Sequence, residues 1–426
     1  MNRFLKPKCG KECPIHRSRL NVLYYLKKEE IVKLGCDLIR QPSLTRQEGP
    51  AVKFAKDWFE DQGFDEVTLQ EVEPGRNQVI ARLKGDGKGK SMMFNGHLDI
   101  DPITASWEWD PYKPKVEGNR LWGAGIHNMK SGDAAMMCAA LAIKRSKAKL
   151  NGDLIVECVV GELQGGVGTV HALKEGVWAD MAIVPEPYSV DNILTKCVGV
   201  HDFAIHTIGR SEHISRMEES INAIMKMRKV LDRLDKMKFE ARDPDLPGAP
   251  RWVAGSIIGG RNRDYDLAGP YNIPDFCTII VDFRYPPGYE IEEINERMKA
   301  MLEEIKAEDP EFRYEFEYPI DPKWRVGGMV MPPMGVSPNS EVVKLLKENH
   351  KRVTGEYPNK VGAVPPRSYC GNDTAHLAKA GVECCLYGPR GYPDEVEKHV
   401  RIDEMVTCSK AICLTGYEVV TKAKKS

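Results

Sequence analysis

The chain has 426 residues, of which 29% are charged and 42% hydrophobic, and its formal net charge is −1. This length predicts roughly two or three domains. The balanced charge excludes a general electrostatic attraction to nucleic acid or to an anionic membrane. Because no run of about 18 apolar residues is present, we expect no transmembrane helix.

The cysteines and the N-terminal sequence predict a reduced, cytoplasmic protein. The twelve cysteines are scattered along the chain, as is typical of reduced thiols, and the basic N-terminus lacks the apolar segment of a secretory signal. Cys9 and Cys13 form a C-x3-C pair close to His16, a spacing that would supply half of a zinc site. No second pair follows at zinc-finger spacing, so we expect an ordinary N-terminal arm.

The first two hundred residues alternate between helical and strand-like patterns. Helical spacing of apolar residues predicts helices over 29–40, 51–62 and 132–144. Short apolar runs predict strands over 78–83, 91–95, 154–160 and 181–184. Buried strands separated by helices indicate an α/β domain with a mixed, mostly parallel sheet.

The pattern changes from residue 200 onward. It predicts a strand at 201–209, a long helix at 211–237, strands at 248–260 and 275–285, a helix at 290–310 and a strand at 313–319. The order βαββαβ is typical of a ferredoxin-like domain. Since mixed α/β texture returns near residue 322, we predict one discontinuous domain, 1–199 and 323–426, with 200–322 inserted into it.

Five chemically capable side chains follow predicted strands or turns of the α/β domain. His97 and Asp99 come directly after a strand and point the same way, so they predict either a metal ligand with its orienting carboxylate or a surface turn. Glu162 follows the next buried strand, ahead of glycines, as a general base or an exposed carboxylate would. Glu186 lies between two prolines after the strand at 181–184, and His399 is predicted at the start of the last helix.

The order of these motifs carries more information than any one of them. H-x-D, G-x-G-x-x-N, G-E-x-x-G-G, E-P and a late His follow one another in a pattern that resembles the M20 metallopeptidase/amidohydrolase family. The resemblance implies that His97 and Glu186 bind a metal, that Asp99 orients His97 and that Glu162 is the catalytic base. It also implies that His399 belongs to a second metal position.

The resemblance extends to the inserted segment. GRSEHIS looks like the lid motif of the family, which implies that His213 reaches the active site of a partner subunit in a homodimer. NIPD and DFR resemble the stretches that grip a substrate carboxylate, here through Asn272 and Arg284. The planar, permanently charged fork of an arginine suits that task.

Three positions depart from the family pattern. The metal-bridging Asp of the family falls on Asn128, the second-metal carboxylate falls on Leu163, and the usual Arg of the turn is Ala124. Two cations close together repel each other strongly, and a bridging carboxylate makes the pair tolerable. We therefore predict one divalent ion per chain, bound by His97, Asn128 and Glu186. Mn²⁺ is favoured, and Zn²⁺ or Co²⁺ also fit such a set.

The predicted function is hydrolysis of a C–N bond in a small carboxylate-bearing substrate, with Glu162 as general base. Within the family the chain most resembles the 5-nitroanthranilate aminohydrolases, which implies an aromatic amine deaminase that releases ammonia in the catabolism of aromatic compounds. The alternatives are an N-acyl amino acid amidohydrolase or dipeptidase and, in another class, a catalytically inactive scaffold dimer. His399 is predicted to contact either the metal or the substrate.

Overall fold

A computed structural model of the chain describes residues 21–103, 107–266, 269, 271–321, 330–391 and 398–423. The predicted N-terminal arm with Cys9, Cys13 and His16 lies outside the described residues. Within the described ranges, no helix combines the length and the apolar character needed to cross a membrane. Cys384 and Cys385, adjacent in sequence, are both buried.

The helices and strands are labelled in chain order. The helices are α1 Lys28–Ile39, α2 Gly49–Asp61, α3 Ser131–Arg145, α4 Val167–Lys174, α5 Ala223–Leu234, α6 Ile291–Glu308, α7 Glu341–Thr354, α8 Thr374–Lys379 and α9 Ile402–Thr421. The strands are β1 Glu66–Glu73, β2 Arg76–Leu83, β3 Met92–His97, β4 Lys115–Glu117, β5 Arg120–Trp122, β6 Leu154–Val159, β7 Met181–Val184, β8 Asn192–Leu194, β9 Lys196–Cys197, β10 Gly199–Ile208, β11 Arg251–Gly260, β12 Phe276–Tyr285, β13 Arg313–Glu317, β14 Val330–Met331, β15 Met334–Gly335, β16 Lys360–Gly362, β17 Glu383–Leu386 and β18 His399–Arg401.

The chain divides into two compact units. The first contains the described residues within 1–195, 336–362 and 377–426, and the second contains those within 196–335 and 363–376. As in the sequence-based division, the middle of the chain forms a unit of its own. The short segment 363–376 also groups with that second unit, a detail that the composition of the chain does not indicate.

The first unit is built on an eight-stranded sheet in the order β1-β2-β6-β3-β7-β17-β8-β16. The central strands β6, β3, β7 and β17 run parallel to one another. β2 pairs with β6 in the antiparallel direction, and β1 pairs with β2 in the antiparallel direction. The side chains of β3, β6 and β7 are buried along their whole length. This confirms the predicted α/β fold with a mixed, mostly parallel sheet.

The second unit has a sheet in the order β11-β12-β10-β13, antiparallel throughout. Its elements follow one another as β10, α5, β11, β12, α6 and β13, which is the predicted βαββαβ order. The predicted helix over 211–237 is wrong at its beginning, because α5 begins only at Ala223. The side chain of Asn222 accepts the backbone N–H of Met225 and caps the helix there, while 214–219 form a separate short 3-10 segment.

Candidate metal centre

Three adjacent parallel strands bring the candidate residues to one edge of the first sheet. His97 is the last residue of β3, Glu162 follows β6, and Glu186 follows β7. β3 lies between β6 and β7 in the sheet. Because parallel strands end at the same edge, residues that are distant in sequence meet there.

The side chains of His97, Glu162 and Glu186 form a compact, buried group. One ligand atom from each lies within 4.8 Å of the others. The Nε2 atom of His97 is 3.5 Å from the Glu186 carboxylate and 3.8 Å from the Glu162 carboxylate. The amide oxygen of Asn128 lies 3.2 Å from the same Nε2 atom. One imidazole nitrogen and several oxygens are a suitable donor set for a divalent transition-metal ion.

Asp99 connects His97 to Glu162. The Nδ1 atom of His97 lies 2.8 Å from the backbone oxygen of Asp99 and 3.5 Å from its carboxylate. The carboxylate itself accepts the backbone N–H groups of Glu162 and Leu163, at 3.2 and 3.1 Å. The sequence prediction placed the carboxylate alone on His97, whereas the backbone carbonyl makes the shorter contact. With Nδ1–H donating there, Nε2 is left to face the carboxylates.

The electrostatics of the group favour a cation. Burial alone would lower the pKa of His97, but its hydrogen bond to Asp99 and the charges of Glu186, Asp99 and Glu162 raise that pKa well above its ordinary value. Burial raises the pKa of Glu186, which His97 partly offsets. Buried carboxylates that repel one another are stabilised when a positive charge lies among them, so the field at this edge suits a bound metal.

Two glycines hold Glu186 in place through its backbone. A Cβ atom at Gly132, at the start of α3, would lie 2.2 Å from the oxygen of Pro185. A Cβ atom at Gly388, just after β17, would lie 2.2 Å from the same oxygen and 2.3 Å from the backbone oxygen of Glu186. The segment therefore passes between two neighbours at a distance that only glycine allows.

The glycine-rich turn positions Asn128. Gly123 and Gly125 have φ values of 155° and 69°, and a tight turn over Ile126–Lys130 follows them. Lys130 is fully buried, and its Nζ donates to the backbone oxygen of Gln41 at 2.7 Å. Burial lowers the pKa of Lys130 to about 7. The buried lysine therefore ties the end of the turn to the backbone of Gln41.

The sequence predicts His399 at the start of the last helix. In the structure His399 lies in β18, and α9 starts at Ile402. β18 pairs with β5, which places the His399 ring 4.5 Å from the ring of Trp122. The side chain is fully buried. The prediction failed because a three-residue strand whose partner lies far away in sequence leaves no periodic signal.

Two further residues near the centre escaped the sequence analysis. His127 precedes Asn128, and burial together with the charges of Arg390 and His399 lowers the pKa of His127 to about 3. Arg390 follows Gly388 and Pro389, and its Nη1 lies 3.5 Å from the oxygen of Pro187. The only sequence signals for them are a histidine next to a predicted ligand and an arginine in a G-P-R turn.

His213, Asn272 and Arg284 belong to the second unit. His213 is exposed, forms an isolated β-bridge with Asn272, and its Nδ1 lies 2.8 Å from the hydroxyl of Ser215. Arg284 donates two hydrogen bonds of 2.6 Å to the carboxylate of Asp282 on the same strand. His213 and Asn272 are thus neighbours through their β-bridge, while the guanidinium of Arg284 is already paired with the carboxylate of Asp282.

The fold and the donor set define a hydrolase that depends on a divalent metal. Residues 93–417 match the profile of peptidase family M20/M25/M40, and the chain belongs to this family. The family assignment made from the motifs is thereby confirmed, as is the class of metal-dependent amidohydrolase.

Known relatives span nearly the whole chain. It is 28% identical over 419 residues to N-formyl-4-amino-5-aminomethyl-2-methylpyrimidine deformylase from Halalkalibacterium halodurans, covering 92% of this chain and 94% of the relative. The dipeptidase Dug1p from Saccharomyces cerevisiae has a similar structure, with a TM-score of 0.73, 14% identity and coverage of 95% and 98% of the two chains. The YXEP protein of Bacillus subtilis, described as a dinuclear metal-binding peptidase of the M20 family, gives a TM-score of 0.63 at 17% identity and covers 92% and 98%.

Proposed function

We propose that the chain binds one divalent cation, with Mn²⁺ favoured, through His97, Glu186 and the amide oxygen of Asn128. The observation that carries this proposal is the buried group of His97, Glu162 and Glu186, with ligand atoms within 4.8 Å of one another. Two positions that would supply charge for a second ion hold a neutral amide and a leucine, Asn128 and Leu163. Too few carboxylates remain to offset the repulsion between two dications.

Glu162 is the general base in this proposal. A divalent cation held by these residues would lower the pKa of water and polarise the substrate carbonyl. The Glu162 carboxylate takes the proton of the attacking water and later delivers it to the departing nitrogen. Asp99 holds the backbone N–H of Glu162, which keeps the base at a fixed distance from His97.

The substrate proposed first is a small amide whose acyl group, such as formyl, is removed from nitrogen. This follows the name of the deformylase relative, which the chain matches over most of its length. The finer sequence prediction, hydrolysis of an aromatic amine as in the 5-nitroanthranilate aminohydrolases, finds no counterpart among the relatives described above. It remains the alternative, and the two reactions leave different products.

The products distinguish the candidates directly. Purified protein loaded with Mn²⁺ is incubated with N-formyl and N-acetyl amino acids, dipeptides and aminobenzoates. We expect formate or another carboxylic acid, detected by NMR, together with an amine and without ammonia. Release of ammonia from an aminobenzoate would instead identify an aromatic amine as the substrate. If the metal-loaded protein turned over none of these compounds, the inactive scaffold would be favoured.

We further propose that the second unit, predicted as 200–322, is the lid and dimerisation domain. Its edge strand β11 exposes Val253, Ile257 and Ile258, which are 57%, 56% and 46% accessible, and an apolar edge suits pairing with a second copy. In that dimer His213 acts at the partner's site, and the family resemblance assigns the grip on a substrate carboxylate to Asn272 and Arg284. Light scattering of the wild type and of Ile257→Lys tests the dimer, and cell fractionation tests the predicted cytoplasmic location.

A further inference from the structure

Arg390 contacts the backbone that follows the proposed ligand Glu186, although Arg390 is not itself a proposed ligand. Its Nη1 is 3.5 Å from the backbone oxygen of Pro187, the residue that follows the ligand Glu186. The residue is half-buried. A permanent positive charge therefore adjoins the backbone of the segment that carries the proposed ligand Glu186.

The backbone of Arg390 is fixed from both sides. Its N–H donates to the carboxylate of Glu404 on α9 at 2.9 Å, and its carbonyl oxygen accepts the N–H of Arg401 at 3.0 Å. Gly388, two residues earlier, packs against Pro185 and Glu186 at distances that exclude a Cβ atom. A side chain on such a backbone is presented to the site in a defined place, so little conformational freedom is lost when it binds a ligand.

A second donor adjoins another proposed ligand. His127, next to the proposed ligand Asn128, is half-buried, and its buried Nε2 has no hydrogen-bond partner among the described residues. A buried ring nitrogen without a partner, next to a proposed ligand, indicates an acceptor that the described residues do not supply.

The residues around Arg390 are unsuited to a second cation. The resemblance to the family assigns His399 to a second metal position, and the YXEP protein is described as dinuclear. Here the guanidinium of Arg390 contacts the backbone that follows Glu186, and Leu163 stands in place of a carboxylate. A guanidinium strongly repels a nearby cation in a buried site, whereas it attracts an anion.

We propose that Arg390, together with His127, forms a subsite for a carboxylate group of the substrate in place of the second cation. The planar fork of arginine binds carboxylates through paired hydrogen bonds, and a neutral imidazole can donate a further one. Arg284 carries this role by family resemblance, but its fork is held by Asp282. The inference rests on the proposed single-metal function and extends it to recognition of the substrate.

The test is a binding experiment that does not require turnover. Benzoate is titrated by calorimetry into the Mn²⁺-loaded wild type and into Arg390→Ala, Arg390→Lys and His127→Phe. We expect the Kd of benzoate to rise at least about tenfold in Arg390→Ala and by a smaller factor in Arg390→Lys, which keeps the charge but loses the fork. Arg82→Ala, whose side chain pairs with Asp153 on the same unit, is the matched control and should bind like the wild type.

Circular dichroism and metal analysis accompany each variant, and Arg390→Lys serves as the test if Arg390→Ala does not fold. Equal benzoate affinity in the wild type and the folded Arg390 variants would overturn the proposal, as would a wild type that binds no benzoate. Failure of the proposed function has a different signature. Two bound ions or no hydrolysis of any amide would refute that function while leaving the Arg390-dependent loss of benzoate binding in place.

Discussion

The carboxylate of Asp99 accepts the backbone N–H of Glu162 at 3.2 Å, while the backbone oxygen of Asp99 contacts the ring of His97. A single buried residue thus sets the positions of a proposed metal ligand and of the proposed base. Burial would raise the pKa of Asp99, but the hydrogen bond and charge of His97 and the amides of Leu163 and Glu162 lower it. Asp99 therefore stays ionised and can hold both partners.

Replacing Asp99 by Asn should loosen both partners at once. An amide offers one acceptor oxygen, so one of the two N–H groups from Glu162 and Leu163 loses its partner. We expect metal affinity and kcat each to fall roughly 10- to 100-fold, as is typical when a group that orients a ligand is removed. Competition with a chelating dye and steady-state kinetics measure the two effects. Asp110→Asn, at an exposed position, is the control, and wild-type values in Asp99→Asn would contradict the positioning role.

Replacing Glu162 by Gln should remove the base and retain the geometry. We expect kcat to fall by about 10²- to 10⁴-fold, the usual contribution of general acid–base catalysis, with metal content unchanged. Single-turnover kinetics and elemental analysis check the two parts, with Glu175→Gln at an exposed position as the control. Loss of the metal in Glu162→Gln would make Glu162 a ligand, and wild-type turnover would remove it from the reaction.

Adding a methyl group at Gly388 should displace Glu186. The new Cβ atom would lie 2.2 Å from the Pro185 oxygen, so the backbone of the ligand segment must move. Overpacking of this kind typically costs about 1–3 kcal/mol of stability. Gly49→Ala has no atom within 4 Å of the new Cβ atom and should be neutral. Urea unfolding and metal titration compare the two variants, and equal metal affinity in both would refute the clamp.

The second unit contains a pH-dependent ion pair. Burial would raise the pKa of Asp309, but its hydrogen bonds to Lys226 and Lys229 lower it to about 2. A lowered carboxyl pKa stabilises the fold above the unfolded value near 3.9, and this stabilisation is lost as the pH falls toward 2. Asp309→Asn should therefore reduce stability at pH 7 by on the order of 1 kcal/mol, since solvent screens part of the interaction.

The free energy of unfolding of Asp309→Asn and of the wild type is measured at a series of pH values. The difference in free energy between the two proteins should narrow as the pH falls from 4 toward 2, within the window that the folded and unfolded pKa values of Asp309 define. Asp235→Asn, on an exposed residue after α5, is the control. A gap that stayed constant over this range would show that the two lysines do not act through the charge of Asp309.

The sequence predicts the elements that its local pattern determines. The strand at 181–184 coincides with β7, and the apolar runs at 78–83 and 154–160 overlap β2 and β6. β1 was not predicted because its side chains are exposed or half-buried, so it lacks an apolar run. The motif order placed His97, Glu162 and Glu186 correctly at one sheet edge, since parallel strands end together.

Residues whose roles depend on distant pairing could not be predicted. His399 owes its position to pairing of β18 with β5, and Arg390 owes its position to Glu404 and Gly388. Neither contact has a periodic or spacing signal in the chain. Arg284 fits a family motif, yet its pairing with Asp282 becomes visible only in the structure.

Restoring the family carboxylates should restore a second ion. Asn128→Asp combined with Leu163→Glu adds two negative charges at the positions that the resemblance assigns to metal binding. We expect this double variant to bind a second Mn²⁺, whereas Asn128→Asp combined with Leu163→Gln, of matched size but lower charge, should bind it much more weakly. Isothermal titration with Mn²⁺ gives both stoichiometries. Equal stoichiometry in the two variants would show that charge at residue 163 does not limit the metal count.

The most direct measurement is the metal content of the wild-type chain. Protein saturated with Mn²⁺ and freed of unbound ions is analysed by inductively coupled plasma mass spectrometry, with activity measured on the same sample. One ion per chain at full activity is the predicted result. Two ions per chain at full activity would contradict the single-cation site.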